Sequence, residues 1–456
     1  MLPIARGLIA LLTATVFTTL GWADSLSDIY QSALQNDPVM RAARASLKAN
    51  REGKNISRAA LLPQIAISGE YSESENNEKQ RLGYIGQSDS KEVRYGASLS
   101  QALFDMPSWY KFQGGKALSA GAEAQFAADQ QNLIMRVSQA YLNALRAHDN
   151  KQTRNAEQRA IERRLEQTRE RFEVGLVPIT DVHEAQAVFD DARVNSLEAQ
   201  GALTIAFDAL EVLTGNSHTV LSGLINRFEA TPPSPAGSQD WVELAINQNF
   251  QLKVAKLGRD AARSEARAAT AARLPKITGT AAYFDSDSDF NSDSDLNSAL
   301  GSYNSKADGH KFEVSVSMPI WRGGAVDATR RQAKQQSIQY SENFVAAKRN
   351  TIQSARSTHQ LVVTNAARVK ARKQAITSAD SALKATQAGY EVGTRTIIDV
   401  LTAQRLLYQA QRNYANARYD YILSMMGLKE VAGQLSPEDI FELDAWLDSS
   451  IAISRQ

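Results

Sequence analysis

RFEVGLVPITDVHEAQ, residues 171–186, and GYEVGTRTIIDVLTAQ, residues 389–404, are two copies of one segment. Aligned at an offset of 218, the copies share Glu173, Val174, Gly175, Ile179, Asp181, Val182, Ala185 and Gln186 of the first. Each copy lies between two stretches with a helical pattern of apolar residues. The segments therefore predict two matched helix–turn–helix tips, at Gly175 and Gly393, and a chain organised as two repeats.

A second landmark repeats at an offset of 212, where Leu62, Pro63, Ile65 and Tyr71 recur as Leu274, Pro275, Ile277 and Tyr283. Apolar and polar residues alternate around both copies, and this period of two predicts β-strands. Four strands are predicted, near residues 62–74, 93–104, 276–285 and 311–320. Strands of about ten residues with one apolar side are typical of transmembrane β-strands, although two surface hairpins of a soluble protein would show the same pattern.

The remaining sequence predicts helices, two of them very long, at about residues 107–172 and 325–388. A helix of about 65 residues would be close to 100 Å long, so neighbouring helices must cover its apolar stripe as in a coiled coil. That stripe includes Leu133, Ile134, Val137, Ala140, Tyr141, Ala144 and Leu145 in the first repeat and Ile352, Ala355, Val362, Val363 and Ala366 in the second. Shorter helices are predicted at residues 26–60, 180–214, 241–272 and 397–427.

The N-terminus has the pattern of a secretory signal peptide, with Arg6 before an uncharged stretch and small residues near position 23. An uncleaved signal anchor is the alternative. We expect a mature chain from Asp24, a first repeat over residues 24–228, a linker over 229–240, a second repeat over 241–427 and a C-terminal segment over 428–456. Residues 216–240, which include the linker, and the C-terminal segment are predicted to form an irregular equatorial collar.

Composition excludes several classes of protein. Removing residues 1–23 takes away one basic residue, so the 51 Lys+Arg become 50 against 50 Asp+Glu, and a neutral chain gives no support for nucleic-acid binding. The absence of cysteine excludes disulfides and a lipoprotein anchor. The histidines His148, His183, His218, His310 and His359 are scattered without metal-ligand spacing or a nucleophile motif, so no enzyme, metal site or cofactor is predicted.

The acidic stretch DSDSDFNSDSD, residues 285–295, is predicted to be a solvated loop outside the cell. It lacks the glycine and the final carboxylate of an EF-hand calcium loop, since Phe290 and Leu296 stand at those positions. Its aspartates therefore do not by themselves predict a metal site.

Four strands in one chain are too few to close a barrel, because known spanning barrels begin at eight strands and an open sheet in lipid leaves backbone groups unpaired. A dimer would supply eight strands and a trimer twelve. Eight-stranded barrels are filled by side chains, so only the trimer is expected to enclose an aqueous channel.

The strings YEVGTRTIIDVL from Tyr390, RFEVGLVPITDV from Arg171, LLPQI from Leu61 and FDMPSW from Phe104 resemble the TolC branch of the outer-membrane efflux proteins. The resemblance covers nearly the whole mature chain. It implies a mixed α and β membrane protein: a trimer with a twelve-stranded β-barrel in the Gram-negative outer membrane, continued by a coiled-coil α-helical barrel in the periplasm. It also implies a passive duct for drugs or for proteins of type I secretion, with no cofactor, a periplasmic adaptor and an inner-membrane pump of RND, ABC or MFS type.

The resemblance also implies roles for residues at the periplasmic tip. Tyr390 and Arg395 match the inner-coil members of the bonds that hold the tunnel closed, and Thr180 and Asp181 match their outer-coil partners. Asp399 matches the acid that rings the pore constriction. A carboxylate in the first turn of a helix, which the helix dipole stabilises, is the alternative for both aspartates.

One departure concerns the second constriction acid of the family, which corresponds to Thr402 in this chain. The trimer would then carry three constriction carboxylates instead of six. A secreted coiled-coil scaffold or adhesin would fit the helices, but it leaves the four alternating strands and the matched turns unexplained.

Overall fold

The computed structural model describes residues 23–79, 85–225, 228–293 and 303–455. The chain divides into two compact units. One, the strand unit, consists of residues 42–129 and 242–354. The other, the turn unit, consists of residues 1–41, 130–241 and 355–456. The predicted signal peptide falls almost entirely on residues outside the described part of the chain.

The strand unit contains one antiparallel sheet of four strands, in the order β1-β2-β4-β5. These strands are β1 (Gln64–Lys79), β2 (Ile85–Phe104), β4 (Lys276–Asp293) and β5 (Tyr303–Ser317). Between β2 and β4 in sequence, β3 (Val220–Leu224) belongs to the turn unit, where it pairs with β6 (Leu447–Ser454). The hairpin of the first repeat thus joins the hairpin of the second through the pairing of β2 with β4.

The helices are α1 (Leu26–Asn36), α2 (Pro38–Ala59), α3 (Met106–Glu173), α4 (Ile179–Thr214), α5 (Ser238–Gln248), α6 (Phe250–Ala271), α7 (Ala325–Glu391), α8 (Ile397–Val431) and α9 (Pro437–Asp444). Helices α3 and α7 have 68 and 67 residues. Their bounds lie within a few residues of the two long helices that the sequence predicts.

Two predicted helices are each broken in two. Asp37 ends α1 in an extended conformation, which the ring of Pro38 favours in the residue before it. The Asp37 carboxylate then accepts the N–H groups of Val39 and Met40 and pairs with Arg136 at 2.5 Å. The second break is at Asn249, whose side chain caps α6 by accepting the Leu252 N–H at 2.8 Å.

The acidic stretch also differs from the prediction of a loop. Strand β4 continues through Asp293, and Asp285, Asp287 and Asp289 pair in register with Asp308, Lys306 and Asn304 of β5. Alternating serine and aspartate thus extend the sheet because the residues as far as Phe290 have ladder partners on both β2 and β5, and the last three pair with β2. The last predicted residues of the stretch, 294–295, lie outside the described residues.

The predicted irregular collar contains regular structure. Strands β3 and β6 form a two-stranded antiparallel sheet, and α9 lies between α8 and β6 in the chain. Asp444 of α9 accepts the N–H groups of Leu26 and Ser27 at the start of α1, at 2.9 and 3.0 Å. The buried Tyr141 donates its hydroxyl to the Ser222 carbonyl at 2.8 Å and so ties α3 to β3.

Candidate functional site: the helix tips and the exposed sheet face

The two predicted tips are built by the same backbone device. Gly175 and Gly393 have φ values of +73° and +76°, a left-handed conformation that side chains strain. The N–H after each glycine returns to a carbonyl five residues earlier, Leu176 to Arg171 and Thr394 to Gly389, both at 2.8 Å. Each long helix therefore ends in a glycine cap of the Schellman type.

The residues that begin the following helix differ between the two tips. Pro178 is the N-cap of α4 and makes no side-chain capping bond. Thr396 is the N-cap of α8, and its N–H and hydroxyl donate to Asp399 Oδ2 at 2.9 and 3.0 Å. The Asp399 N–H returns a bond to the threonine hydroxyl at 3.3 Å, which completes a capping box.

This box determines the electrostatics of Asp399. The N–H of Thr396 and then its hydroxyl stabilise the charged carboxylate, and nearby Arg395 adds a smaller attraction, so the pKa of Asp399 lies below its ordinary value despite slight desolvation. Thr402 is half-buried one turn further along α8. Asp399 thus acts as a helix cap within its own chain.

Tyr390 lies against an apolar cluster at the tip. The cluster joins α3, α4 and α8 through the buried residues Ile161, Leu165, Ala185, Ala192, Ile397 and Leu401. The guanidinium of Arg171 sits 4.9 Å from the centre of the Tyr390 ring, in cation–π contact. The Tyr390 hydroxyl is buried and has no hydrogen-bond partner within the described part of the chain.

Arg395 is held over the end of α7. A methyl group added at Gly389 would come within 2.8 Å of Arg395 Cγ, so only glycine lets the arginine side chain cross there. The Gly389 carbonyl also accepts the Arg395 N–H at 3.2 Å and the Thr394 hydroxyl at 3.0 Å. The backbone of the second tip therefore fixes the position from which the Arg395 side chain extends.

The structure does not join the predicted latch residues within one chain. Among the described residues, Arg395 and Tyr390 make no ion pair or side-chain hydrogen bond with Thr180 or Asp181. The Asp181 carboxylate lacks the capping bond that Asp399 makes, because Pro178 has neither hydroxyl nor N–H. Tyr390, Arg395 and Asp181 are thus left with side-chain capacity for other partners.

Sequence reasoning missed two features of the turn unit. Glu157 is only 3% exposed and pairs with Arg412 at 2.6 Å and Arg154 at 3.2 Å. This buried network links α3 to α8. In the sequence, however, nothing distinguishes Glu157 from the other charged residues of the same helix. The contact between Arg171 and Tyr390 joins positions more than two hundred residues apart, so no local pattern could reveal it.

The described residues contain neither a cluster of metal-ligating side chains nor a helix suited to cross a membrane. No group of three or more His, Cys, Asp or Glu side chains there could hold a metal ion. His218 instead bonds Asp24 and Thr214, each at 2.8 Å, and His359 approaches the Ala236 carbonyl at 3.1 Å. Within the same residues, no helix combines the length and the apolar composition needed to cross a membrane.

One face of the four-stranded sheet is apolar and exposed. Ile67 is 87% exposed and Phe312 is 80% exposed. The register places the members of this face in rows across the sheet: Ile65, Leu99, Ala281 and Phe312 form one row, and Ile67, Ala97, Tyr283 and His310 the next. The opposite face carries mainly serine, threonine and charged residues. An exposed apolar face of this kind is the surface that a lipid-facing sheet presents.

Comparison with known proteins agrees with these features. The model of the outer membrane efflux protein family matches residues 29–216 and 241–434, one match for each repeat. The outer membrane protein TolC of Vibrio cholerae serotype O1 is 36% identical over 428 residues, which cover 93% of this chain and 94% of that protein. The alkaline protease secretion protein AprF of Pseudomonas aeruginosa is 29% identical over 427 residues, 92% of this chain and 86% of that protein.

Among solved structures, the outer membrane protein VceC from Vibrio cholerae superposes with a TM-score of 0.73 at 19% identity. The match covers 90% of this chain and 96% of VceC. The family match over both repeats and the relative at 36% identity make the chain an export channel of the bacterial outer membrane. The chain belongs to the outer membrane efflux protein family.

Membership confirms the predicted fold class and cellular location. The four strands are one third of a trimeric twelve-stranded β-barrel, which a helical barrel continues. The protein is an outer-membrane exit duct with a role in tripartite efflux and secretion systems, and it is a passive conduit, not an enzyme.

Proposed function

We propose that a periplasmic adaptor protein and an inner-membrane pump of RND, ABC or MFS type deliver cargo to the helix tips of this duct. Exposed apolar residues at both tips support the proposal: Val174, Leu176 and Val392 are 69%, 67% and 75% exposed. A photo-crosslinking residue at Val174 or Val392 should capture the adaptor in cells. The same residue at Val212, equally exposed but at the far end of α4, should not.

The cargo depends on that pump and adaptor, since the duct has no catalytic chemistry of its own. The relatives include a protein named for protease secretion and members of the efflux family, and both kinds of cargo suit this chain. Deletion of the gene should therefore be tested for drug sensitivity and for loss of secreted proteins. Loss of neither would contradict the proposed role.

We infer that Tyr390, Arg395, Thr180 and Asp181 form the latch that closes the periplasmic entrance, with Arg395 reaching its acceptors on a neighbouring protomer. The observation that carries this inference is the set of unused groups at the tips. Tyr390 has a buried hydroxyl without a partner, and Asp181 has no capping bond. A buried hydroxyl left unpaired costs about 1–3 kcal/mol, which a bond to a carboxylate would recover.

The test is the double variant Tyr390→Phe with Arg395→Ser. Each bond to a charged group is worth about 1.5–3 kcal/mol, and three copies act together around the ring, so single-channel conductance in planar bilayers should rise. Arg405→Ser, which removes an exposed arginine from α8 outside the tip, is the matched control and should conduct like the wild type. Unchanged conductance in the double variant, with the trimer intact, would exclude these residues as the latch.

A second proposal concerns the pore constriction. Three copies of Asp399 near the channel axis would favour cations, because a narrow opening focuses a field of one sign. Asp399→Ala should lower cation selectivity, and Thr402→Asp, which adds a carboxylate one turn along the same face, should raise it. Both differences should shrink at 1 M salt, where the screening length is about 3 Å. Equal reversal potentials in all three proteins at low salt would place the constriction elsewhere.

We also propose that the mature chain begins at Asp24, after removal of a signal peptide. Asp24 is already part of the folded turn unit, since its N–H donates to the Val220 carbonyl at 3.0 Å and its carbonyl accepts the Ser222 N–H at 3.1 Å. A new terminus there would keep these contacts. The intact mass of the purified protein decides the point, and a mass that includes residues 1–23 would refute it.

A further inference from the structure

A groove of about 350 Å³ lies in the strand unit, where the chain leaves β5 and enters α7. Its apolar lining is unusually open to solvent. Ile320 is 84% exposed and Trp321 is 79% exposed, and Met318 and Pro319 complete this side. Such side chains in the free chain require either a partner surface or a lipid environment.

The groove is continuous with the apolar face of the sheet. Val314, Val316 and Met318 follow one another at intervals of two, and Ile320 continues the series beyond the end of the strand. Because the face belongs to an outer-membrane barrel, its margin at the end where β5 leads into α7 lies at the edge of the lipid. Tryptophan is enriched at that level, where one side of the ring is apolar and the other is wet.

The other side of the groove carries an excess of positive charge. Arg273 forms an ion pair with Asp327, and Arg330 Nε stands 3.7 Å from the same carboxylate without a hydrogen-bond partner of its own. Arg322 is exposed and forms no ion pair with any described residue. The groove is thus lined by two guanidinium groups, those of Arg273 and Arg322, and by one carboxylate, beside which Arg330 also stands.

The corresponding exit from the first repeat is arranged differently. Trp109 packs on Phe112, with ring centres 6.1 Å apart, and is less exposed than Trp321. Asp105 there pairs with Lys276 at 3.0 Å, so that acid and base balance. An exposed tryptophan beside unbalanced arginines is therefore a property of the second repeat.

We propose that this groove binds one anionic glycerophospholipid per protomer, in the periplasmic leaflet of the outer membrane. The phosphate would lie against Arg322, the lining arginine without an ion pair to any described residue, because a planar guanidinium group binds two phosphate oxygens at once. The part of an acyl chain nearest the headgroup would lie against Ile320 and Trp321. Arginine next to exposed apolar surface matches the two parts of this ligand, charged head and apolar tail.

The experiment uses the fluorescence of Trp321 in the intact trimer, reconstituted into vesicles whose lipids carry bromine on the acyl chains. Subtracting the signal of Trp321→Phe isolates this residue from the other tryptophans. Phosphatidylglycerol and phosphatidylcholine with identical brominated chains are compared, each diluted into unbrominated phosphatidylcholine. We expect half-maximal quenching at a lower mole fraction of brominated phosphatidylglycerol than of brominated phosphatidylcholine.

Arg322→Gln should raise the required fraction of phosphatidylglycerol about tenfold, as expected for the loss of a hydrogen bond to a charged group. Arg349→Gln is the matched control, because it removes an exposed arginine from α7 about 36 Å from the start of the helix. Its curve should equal that of the wild type. As a check independent of fluorescence, native mass spectrometry of the wild-type trimer should show up to three bound phosphatidylglycerol molecules, and fewer for Arg322→Gln.

Three outcomes would overturn the proposal. Equal quenching by the two headgroups would show that Trp321 touches bulk lipid without a site. No quenching of Trp321 by either lipid would show that a neighbouring protomer covers the groove. Equal loss of affinity in Arg349→Gln and Arg322→Gln would show a general effect of charge.

Discussion

The two helix tips share a backbone conformation and differ in the residue that caps the second helix. Both end a long helix at a glycine with φ near +75°, and both carry an aspartate six residues later. At the residue three before each aspartate, the first tip has Pro178 and the second has Thr396. The threonine engages Asp399 in a capping box, whereas the proline leaves Asp181 without one.

This difference shows how a duplicated segment acquires two roles without a change of fold. The glycine cap is a requirement of the turn and is kept in both copies. The aspartate is a helix cap in the second copy and an available acceptor in the first. Gly389, which lets Arg395 cross the helix end, has Arg171 as its counterpart, so the basic side chain also takes a different place in each tip.

The largest expected effect, a loss of trimer stability, comes from disrupting the glycine cap that both tips share. Gly175→Val and Gly393→Val force a β-branched residue into the left-handed region, at a cost of about 1–2 kcal/mol per protomer. The temperature at which the trimer dissociates during electrophoresis in detergent should fall by a similar amount for both. Gly201→Ala, at an open position inside α4, should leave it unchanged or raise it. A loss at one tip alone would refute the shared cap.

The next prediction removes the difference between the tips. Pro178→Thr places a threonine three residues before Asp181 and should create a capping box in the first tip. The box contributes about 1 kcal/mol, and the loss of the rigid proline offsets about half or more of it, so trimer stability should hardly change.

Conductance should nevertheless rise, because the new cap competes with the latch for the Asp181 carboxylate. Pro178→Ala, which removes the proline without supplying a hydroxyl, is the control and should conduct less than Pro178→Thr. Equal conductance in these two variants would mean that Asp181 is not a latch acceptor.

The smallest effect is a shift in pH dependence at the second tip. The pKa of Asp399 is lowered, chiefly by the bonds from Thr396, so its carboxylate remains charged above the ordinary value of about 3.9 and is neutralised only at lower pH. Thr396→Ala removes the hydroxyl bond and should raise this pKa. Cation selectivity, measured by reversal potential between about pH 6 and pH 3, should then be lost at higher pH than in the wild type. Thr396→Ser, which keeps the hydroxyl, should follow the wild-type curve; coincident curves for Thr396→Ala would contradict the role of the box.

Much of this fold follows from periodicity and repetition in the sequence. The long helices lack internal proline, and the strands alternate, so local pattern and final structure agree. The break at Asp37 was missed although Pro38 marks it in the sequence, because the helical pattern of apolar residues continues on both sides. The break at Asn249 was missed because a single capping side chain makes it within a continuous helical pattern. The extension of β4 was missed because serine and aspartate disfavour strands when considered alone, and partner strands on both sides override that preference.

The tips were only partly predictable. The sequence reveals that Gly175 and Gly393 correspond, and it reveals the threonine that can cap Asp399. It cannot reveal which apolar cluster receives Tyr390, or that Arg171 covers its ring, because both depend on how distant helices pack. The buried state of Glu157 depends on the same packing.

On the exposed face of the sheet, the change from apolar to charged residues does not lie at the same level on all four strands. Its first charged residues are Glu73 on β1 and Lys91 on β2, which pair in register, but Asp285 on β4 lies four residues nearer the apolar end. Asp308 on β5 is level with Asp285. The boundary thus shifts by about 13 Å along the strands, in one step between β2 and β4, within a sheet that is three strand spacings, about 14 Å, wide. If the water boundary of the membrane follows it, the strands incline by about 45° to the membrane normal, close to the inclination that closes a barrel. The aspartates of β4 would then mark the tilt of the strands relative to the membrane normal.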